Sequence, residues 1–462
     1  MMKRNKNYLL GLALMTVLAT TILACNKFLE AVPDTSKVIP STLEDLDAML
    51  WDGYGLNGGA SGLIEMGTDD YYLKQSVFDG LGIFSQQLYT WEKGLEITNS
   101  NINQHWGSTY KRVLTANVVL DKLGSIDISD QNKANRLKGE ALFIRSLAFF
   151  QFSQLFMDTY DPKTANDGLG IPLKLSSDIN EKVYRSTVGQ TYQRIIDDLM
   201  LAKDLLSPLV EYKTRPTLPA VEGLLAKVYL LMGDFGMAEK WASSSLEHYS
   251  YLSDYNKLDA NVAQPFKTLS DEIVYFAYTG ATDMLISYTT NVDSTLVKQY
   301  GPDDLRRAFF FEFDAEGAAT FRGWYSGINN CPFLGINTAE NYLTKAECLA
   351  RKGLYNEAKN ELKTLLKNRF KDGKVGFIDD IGNDDLLGYI LKERRKELIF
   401  RGTRWSDLRR LNRERRYTTT LYRSLTVNGK NQLISLAPND KRYIYPIPLP
   451  VVELSGIAQN ER

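Results

Sequence analysis

Cysteine and histidine are nearly absent from this chain. It has three cysteines, Cys25, Cys331 and Cys348, and two histidines, His105 and His248, in 462 residues. That excludes a disulfide-stapled scaffold, a cysteine-rich zinc fold and most histidine-based metal centres, so no resident metal or cofactor is expected. Neither sign of charge dominates. With 55 Lys+Arg against 56 Asp+Glu there is no uniform basic field, and nucleic-acid binding is not expected. Catalytic signatures are missing as well. The chain holds no His-Glu-x-x-His, no Gly-x-Ser-x-Gly and no Walker A sequence, and no catalytic residue is assigned. What is abundant is core-forming and aromatic residues, 44% hydrophobic with 26 Tyr against 20 Phe, enough for a large core that keeps amphipathic rings near water.

One long apolar run stands at the start. Lys3, Arg4 and Lys6 precede an uncharged stretch from Tyr8 to Ala24 that ends in Ile22-Leu23-Ala24-Cys25. A positive segment, an apolar run and a small residue before cysteine resemble a lipoprotein signal. Residues 1–24 are therefore expected to be removed and Cys25 to carry lipid. Each buried acyl methylene contributes about 0.8 kcal/mol, so several chains on one cysteine hold a protein on a membrane. The rest of the chain has 52 basic and 56 acidic residues and no second run of that length. It is expected to be a soluble body, 25–462, tethered at its start.

Most of the chain after residue 100 reads as helix. Leu137, Ala141, Ile144, Ala148, Phe152 and Leu155 recur at steps of three and four and predict a helix over Arg136–Phe156. The same pattern predicts helices over Thr187–Leu206, Asn341–Lys352, Leu354–Phe370 and Leu386–Phe400, joined in pairs by short connections. Two pairs share a five-position pattern. Ala226, Leu230, Gly233, Phe235 and Ala238 match Ala346, Ala350, Gly353, Tyr355 and Ala358 at a constant offset of 120. Small residues, a turn glycine and an aromatic in that order resemble a tetratricopeptide pair. The expected class is mainly α, a tetratricopeptide-like scaffold with pairs at about 101–248 and 337–412. Irregular insertions with short strands are expected at about 50–100 and 250–335, where ligand-binding surfaces are usually built. Cys331 and Cys348 are left open as a pair, although Cys348 falls in a helical pattern and reads as a buried apolar residue.

Other motifs carry less. Gly53-Tyr54-Gly55-Leu56-Asn57-Gly58 fits G-x-G-x-x-G but follows an expected helix rather than a strand, so it reads as a turn. Asp69-Asp70 would be half of a glycosidase pair only with a second carboxylate at a set distance. Lys392–Arg416 holds eleven Lys/Arg and four Asp/Glu interleaved with Leu398, Phe400 and Trp405. That reads as an Arg–carboxylate network tying a helix into the body, with Glu397 and Asp407 as partners. Aromatics in the irregular stretches are the binding candidates, because sugar C–H faces stack on rings while hydroxyls seek Asp, Asn or Arg. They are Asp70, Tyr71 and Tyr72, then Trp91, then Trp324 and Tyr325.

Several stretches together are similar to the SusD/RagB family. Cys25-Asn26-Lys27-Phe28-Leu29-Glu30 followed by Pro33-Asp34 resembles its lipidated start, and Trp106, Tyr110 and Ala116-Asn117 its first repeat helix. Gly139 through Phe150, then Gly170-Ile171-Pro172-Leu173, resemble its most recognisable helix and the segment after it. Glu393-Arg394-Arg395-Lys396-Glu397-Leu398 with Gly402–Leu408, and Tyr445-Pro446-Ile447-Pro448 with Glu453 and Gln459-Asn460, resemble the late signatures. Arg401 stands where the family often has Glu. The resemblance implies a lipoprotein of the Bacteroidetes outer membrane, exposed at the cell surface, that captures a glycan, or in some relatives a peptide. It also implies a SusC-like TonB-dependent transporter as partner and no covalent chemistry. By order and spacing it points to Asp70 and Trp91, with Trp324 or Tyr325, as ligand contacts. Two other readings compete: a lipid-anchored glycoside hydrolase using Asp69 or Asp70, and a helical scaffold that binds only proteins.

Overall fold

The computed structural model describes residues 40–95, 101, 103–427 and 429–462. The expected signal segment, residues 1–24, and Cys25 lie outside them. Among the described residues the frame is made of ten helices of eight or more residues. They are α1 Leu43–Leu50, α2 Ser108–Leu123, α3 Gln131–Phe156, α4 Val188–Lys203, α5 Leu218–Met232, α6 Phe235–His248, α7 Thr338–Arg351, α8 Tyr355–Leu366, α9 Asn383–Glu397 and α10 Arg404–Leu411. None is long and apolar enough to cross a membrane.

The longest, α3, starts where the Asp130 carboxylate caps the Lys133 amide at 3.0 Å, five residues before the apolar periodicity begins. It packs between α2 and α4. Arg145 on α3 holds the three together, donating to Asp198 on α4 at 2.7 and 2.9 Å and to Asn117 on α2 at 2.8 Å. A capping box of Thr187 and Gln190 opens α4.

The two pairs picked out by the 120-residue offset fold alike. Gly233 closes α5 at φ 80° and Gly353 follows α7 at φ 78°, conformations that cost an L-residue about 1–2 kcal/mol. Gly233 and Asp234 donate to Leu230 and Tyr229 at 3.1 and 3.0 Å; Gly353 and Leu354 donate to Ala350 and Leu349 at 3.1 and 3.0 Å. Ala226, Ala238, Ala346 and Ala358 are fully buried, which lets each pair close. Helix α6 packs on α7 and joins the pairs into one array. The class is mainly α and tetratricopeptide-like. Cys348 lies in α7 against Leu230 and Ala238, and Cys331 is buried elsewhere; both are free thiols.

Five short strands lie in the irregular stretches, β1 Tyr71–Leu73, β4 Ile273–Tyr275, β5 Thr290–Val292, β6 Phe311–Phe313 and β7 Ala319–Phe321; outside them lie β2 Leu169–Pro172, β3 Arg185–Thr187, β8 Ile336–Asn337 and a hairpin of two seven-residue strands, β9 Leu421–Val427 and β10 Lys430–Leu436. Strands β1, β5, β7 and β6, in that order, form a four-stranded antiparallel sheet. One strand comes from the first insertion and three from the second, so two segments about two hundred residues apart fold as one unit. The Gly53–Asn57 stretch is a single wide helical turn after α1, capped by Asp52, and not a phosphate loop.

Candidate functional site

The sheet has a core face and an outer face. On the core face Tyr71, Val292, Phe321 and Phe311 are buried. Trp324 packs beneath it, stacked on Phe400 at 5.6 Å and meeting the Phe321 edge at 5.0 Å, with its indole N–H donating to the Ser287 hydroxyl at 2.8 Å. The Tyr325 hydroxyl donates to Glu272 at 2.7 Å, and the Arg401 guanidinium lies 3.6 Å from the ring centre. Arg401 thus replaces the acid common in the resembling family with a cation stacked on an aromatic ring. Trp91 donates to the Gly67 carbonyl at 2.9 Å and packs against Arg423, whose guanidinium also reaches Tyr71.

Asp69 and Asp70 stand just before β1, and both point into the protein. Arg404 grips Asp69 at 2.7 and 2.8 Å, and Arg395 donates to Asp70 at 2.8 Å. Burial alone would raise the Asp69 pKa, but Arg395 and Arg404 outweigh it and hold the carboxyl well below the usual range. Asp70 moves the other way: burial raises its pKa, only partly opposed by Arg395.

Arg395 belongs to a hub. Residues Glu393 to Lys396 reach three parts of the molecule, with Glu393 and Lys396 converging on the Asp304–Arg306 pair. Glu393 takes Arg306 at 2.6 Å, Arg394 reaches Glu340 at 3.0 Å and Asp407 at 2.8 Å, and Lys396 reaches Asp304 at 2.8 Å. Glu397 accepts from Arg306 and Arg369 at 3.1 Å. Helix α9 therefore ties the helical array to both insertions through buried, mutually satisfied charges, as the basic run predicts.

The outer face differs. Directly paired residues of antiparallel strands share a face. The register Tyr72↔Asn291, Asn291↔Thr320 and Glu312↔Thr320 therefore lines up one side chain from each of the four strands. The row reads Tyr72, Asn291, Thr320, Glu312: an aromatic ring, an amide, a hydroxyl and a carboxylate. At about 4.8 Å between strands it spans about 14 Å. Tyr72 is 37% exposed, Glu312 is exposed and Thr320 is half-buried, while Asn291 between them is buried at 3% exposure. Arg322 lies 3.7 Å from Glu312, and Tyr288, two residues before β5, projects into solvent. Above the buried Asn291, the row offers solvent a ring that can stack, a hydroxyl and a carboxylate.

Two family models match. One, described as starch-binding associating with outer membrane, covers residues 27–230; the other, the SusD family, covers residues 309–461. The chain belongs to the SusD/RagB family. A curated relative, SusD-like protein P2 of Formosa agariphila, is 23% identical, with 77% of this chain and 79% of the relative covered. Among solved structures, a putative sugar binding protein from Bacteroides vulgatus matches with TM-score 0.72 at 22% identity, covering 92% of this chain and 99% of that one. A SusD superfamily protein from Bacteroides fragilis matches with TM-score 0.71 at 21% identity, covering 91% and 99%. These likenesses show that this chain has the SusD fold.

Within that fold, the six expected ligand contacts do not form one open surface. Tyr71 and Tyr72 are neighbours on β1, Trp324 lies under the same sheet, and Tyr325 packs against Phe266 and Phe333. Asp70, Tyr71, Trp91, Trp324 and Tyr325 are each no more than 3% exposed, and every polar atom but one carboxylate oxygen of Asp70 is satisfied inside the protein. Their rings fill the insertions' core, because segments without helical periodicity need large side chains to exclude water. Tyr72 alone reaches solvent. Sequence reading missed Asn291, Thr320 and Glu312. Their signal was the alternation in Phe311–Phe313 and Ala319–Phe321, too short to stand out without the pairing partner.

Proposed function

We propose that this SusD/RagB protein is a lipoprotein that captures a glycan on the outer face of its four-stranded sheet and hands it to a SusC-like TonB-dependent transporter in the outer membrane. The observation that carries the glycan reading is the row Tyr72, Thr320 and Glu312 around the buried Asn291, which sets a stackable ring on the same face as a hydroxyl and a carboxylate. The names of relatives point the same way: the matching model is described as starch-binding and the Bacteroides vulgatus protein as sugar binding. Capture without turnover is supported by Asp69 and Asp70, whose carboxylates are engaged by Arg404 and Arg395 rather than turned to a substrate. Attachment through lipid on Cys25 and a transporter partner follow from family membership and from the signal-like start.

Calorimetry of the chain from Asn26 onward against a panel of polysaccharides and peptides tests the reading. Saturable heat with a glycan recovered intact is expected. Cleaved glycan, or binding confined to peptides, contradicts it. Replacing Cys25 with Ser is expected to move the protein out of the outer-membrane fraction; retention there contradicts lipid anchoring. Co-purification of the native protein with a TonB-dependent channel tests the partner.

A further inference from the structure

A second site lies away from the sheet, between α1, the N-terminal part of α3 and the connection from α4 to α5. It is a cavity of about 400 Å³. Two aromatic residues stand at its mouth: Trp51 is 50% and Tyr212 49% exposed, with ring centres 5.4 Å apart and planes at 71°. The Arg215 guanidinium lies 4.8 Å from the Trp51 ring centre and fixes the indole from one side. Half of the Trp51 surface stays open.

The charges beneath cancel. Arg136 donates to Asp47 at 3.3 and 3.0 Å and to Glu140 at 3.0 Å. Arg215 pairs with Asp47 at 2.7 Å and donates through Nε to Glu140 at 3.0 Å. Two guanidinium groups thus neutralise two carboxylates, and Glu211 also lines the cavity, so nothing favours an anionic ligand. The polar groups left open to the cavity are Arg136 and Asp47, whose side chains are 39% and 21% exposed, and the exposed Glu211. Arg215 Nη1 and Thr217 Oγ1 are sealed inside the wall.

We propose that this cavity binds a neutral oligosaccharide. Its C–H face would stack on Trp51 against Tyr212, and its hydroxyls would meet the Arg136, Asp47 and Glu211 side chains that line the cavity. The site shares no residue with the row on the sheet and does not rest on that reading.

The test uses the full chain in detergent with its tryptophans replaced by 5-fluorotryptophan, the Trp51 fluorine signal being assigned through Trp51→Phe. The probes are maltohexaose, cellohexaose, xylohexaose and mannohexaose, with oligogalacturonate and a mixed peptide pool as the contrasting chemistries. A saturable shift of the Trp51 signal with at least one neutral hexasaccharide is expected. Tyr212→Ala is expected to raise the half-saturation concentration about tenfold, as loss of a stacked ring does. Tyr72→Ala should leave the shift unchanged, which separates this site from the sheet surface. The proposal is overturned if no neutral hexasaccharide moves the Trp51 signal, if oligogalacturonate or peptide moves it in their place, or if Tyr72→Ala abolishes it.

Discussion

The paired helices and the insertions of this molecule use the same residue types to opposite ends. In the helical pairs a small residue, a glycine and an aromatic recur 120 positions apart, and both copies make the same turn with the same hydrogen bonds. In the insertions, Tyr72 and Trp324 belong to equally aromatic, equally irregular stretches, yet one reaches solvent and the other is sealed under a sheet. Where the backbone is periodic, a residue's neighbours along the chain say which way it faces. Where it is not, the facing is decided by a strand arriving from far away.

The comparison is broken most severely at its joint. Arg395→Ala leaves Asp69 and Asp70 short of their main cation, and stripping one partner from a buried charge set costs about 3–5 kcal/mol. Urea unfolding should show that loss; a change below about 1 kcal/mol would mean the hub does not bind the two regions. Trp324→Ala should cost a similar 3–5 kcal/mol of stability as a buried aromatic truncation. A normal denaturant midpoint combined with lost glycan affinity would return Trp324 to the ligand surface.

Acid probes the same joint. Asp407 is held at about 2, where burial is outweighed by Arg394 and Arg410, and Asp69 is also depressed. Groups whose folded pKa is depressed add stability that is full above their ordinary value near 4 and is lost as pH falls through the folded value. Stability of the whole body is therefore expected to drop between about pH 4 and pH 2. A flat midpoint across that window would remove the argument. The smallest effect sharpens the likeness between the pairs: Gly233→Ala and Gly353→Ala should each cost about 1–2 kcal/mol, and by nearly the same amount, since both sit at positive φ with open space around them. Unequal losses would show that the two turns are alike only in shape.

How much could be read beforehand follows from this. The helix over Arg136–Phe156 was legible because its apolar positions repeat, and only its capped first turn, from Gln131, was missed. The Arg–carboxylate network was legible because opposite charges alternated with apolar residues that had to be buried. The row on the sheet was not. Asn291, Thr320 and Glu312 lie in three-residue strands whose common face exists only after β1 pairs with β5. Trp51 and Tyr212 escaped attention for a related reason: they flank helices from segments far apart in the chain, and only the folded molecule brings the rings together.

The central claim is that glycan is captured on the outer face of the sheet while the buried aromatics serve as its frame. Calorimetry with one bound glycan against Tyr72→Ala and Trp91→Phe, side by side, tests it most directly. The account predicts that Tyr72→Ala weakens affinity about 5- to 150-fold with an unchanged denaturant midpoint, the loss of a stacked ring, and that Trp91→Phe leaves affinity as it was. Affinity untouched by Tyr72→Ala but lost with Trp91→Phe would contradict it.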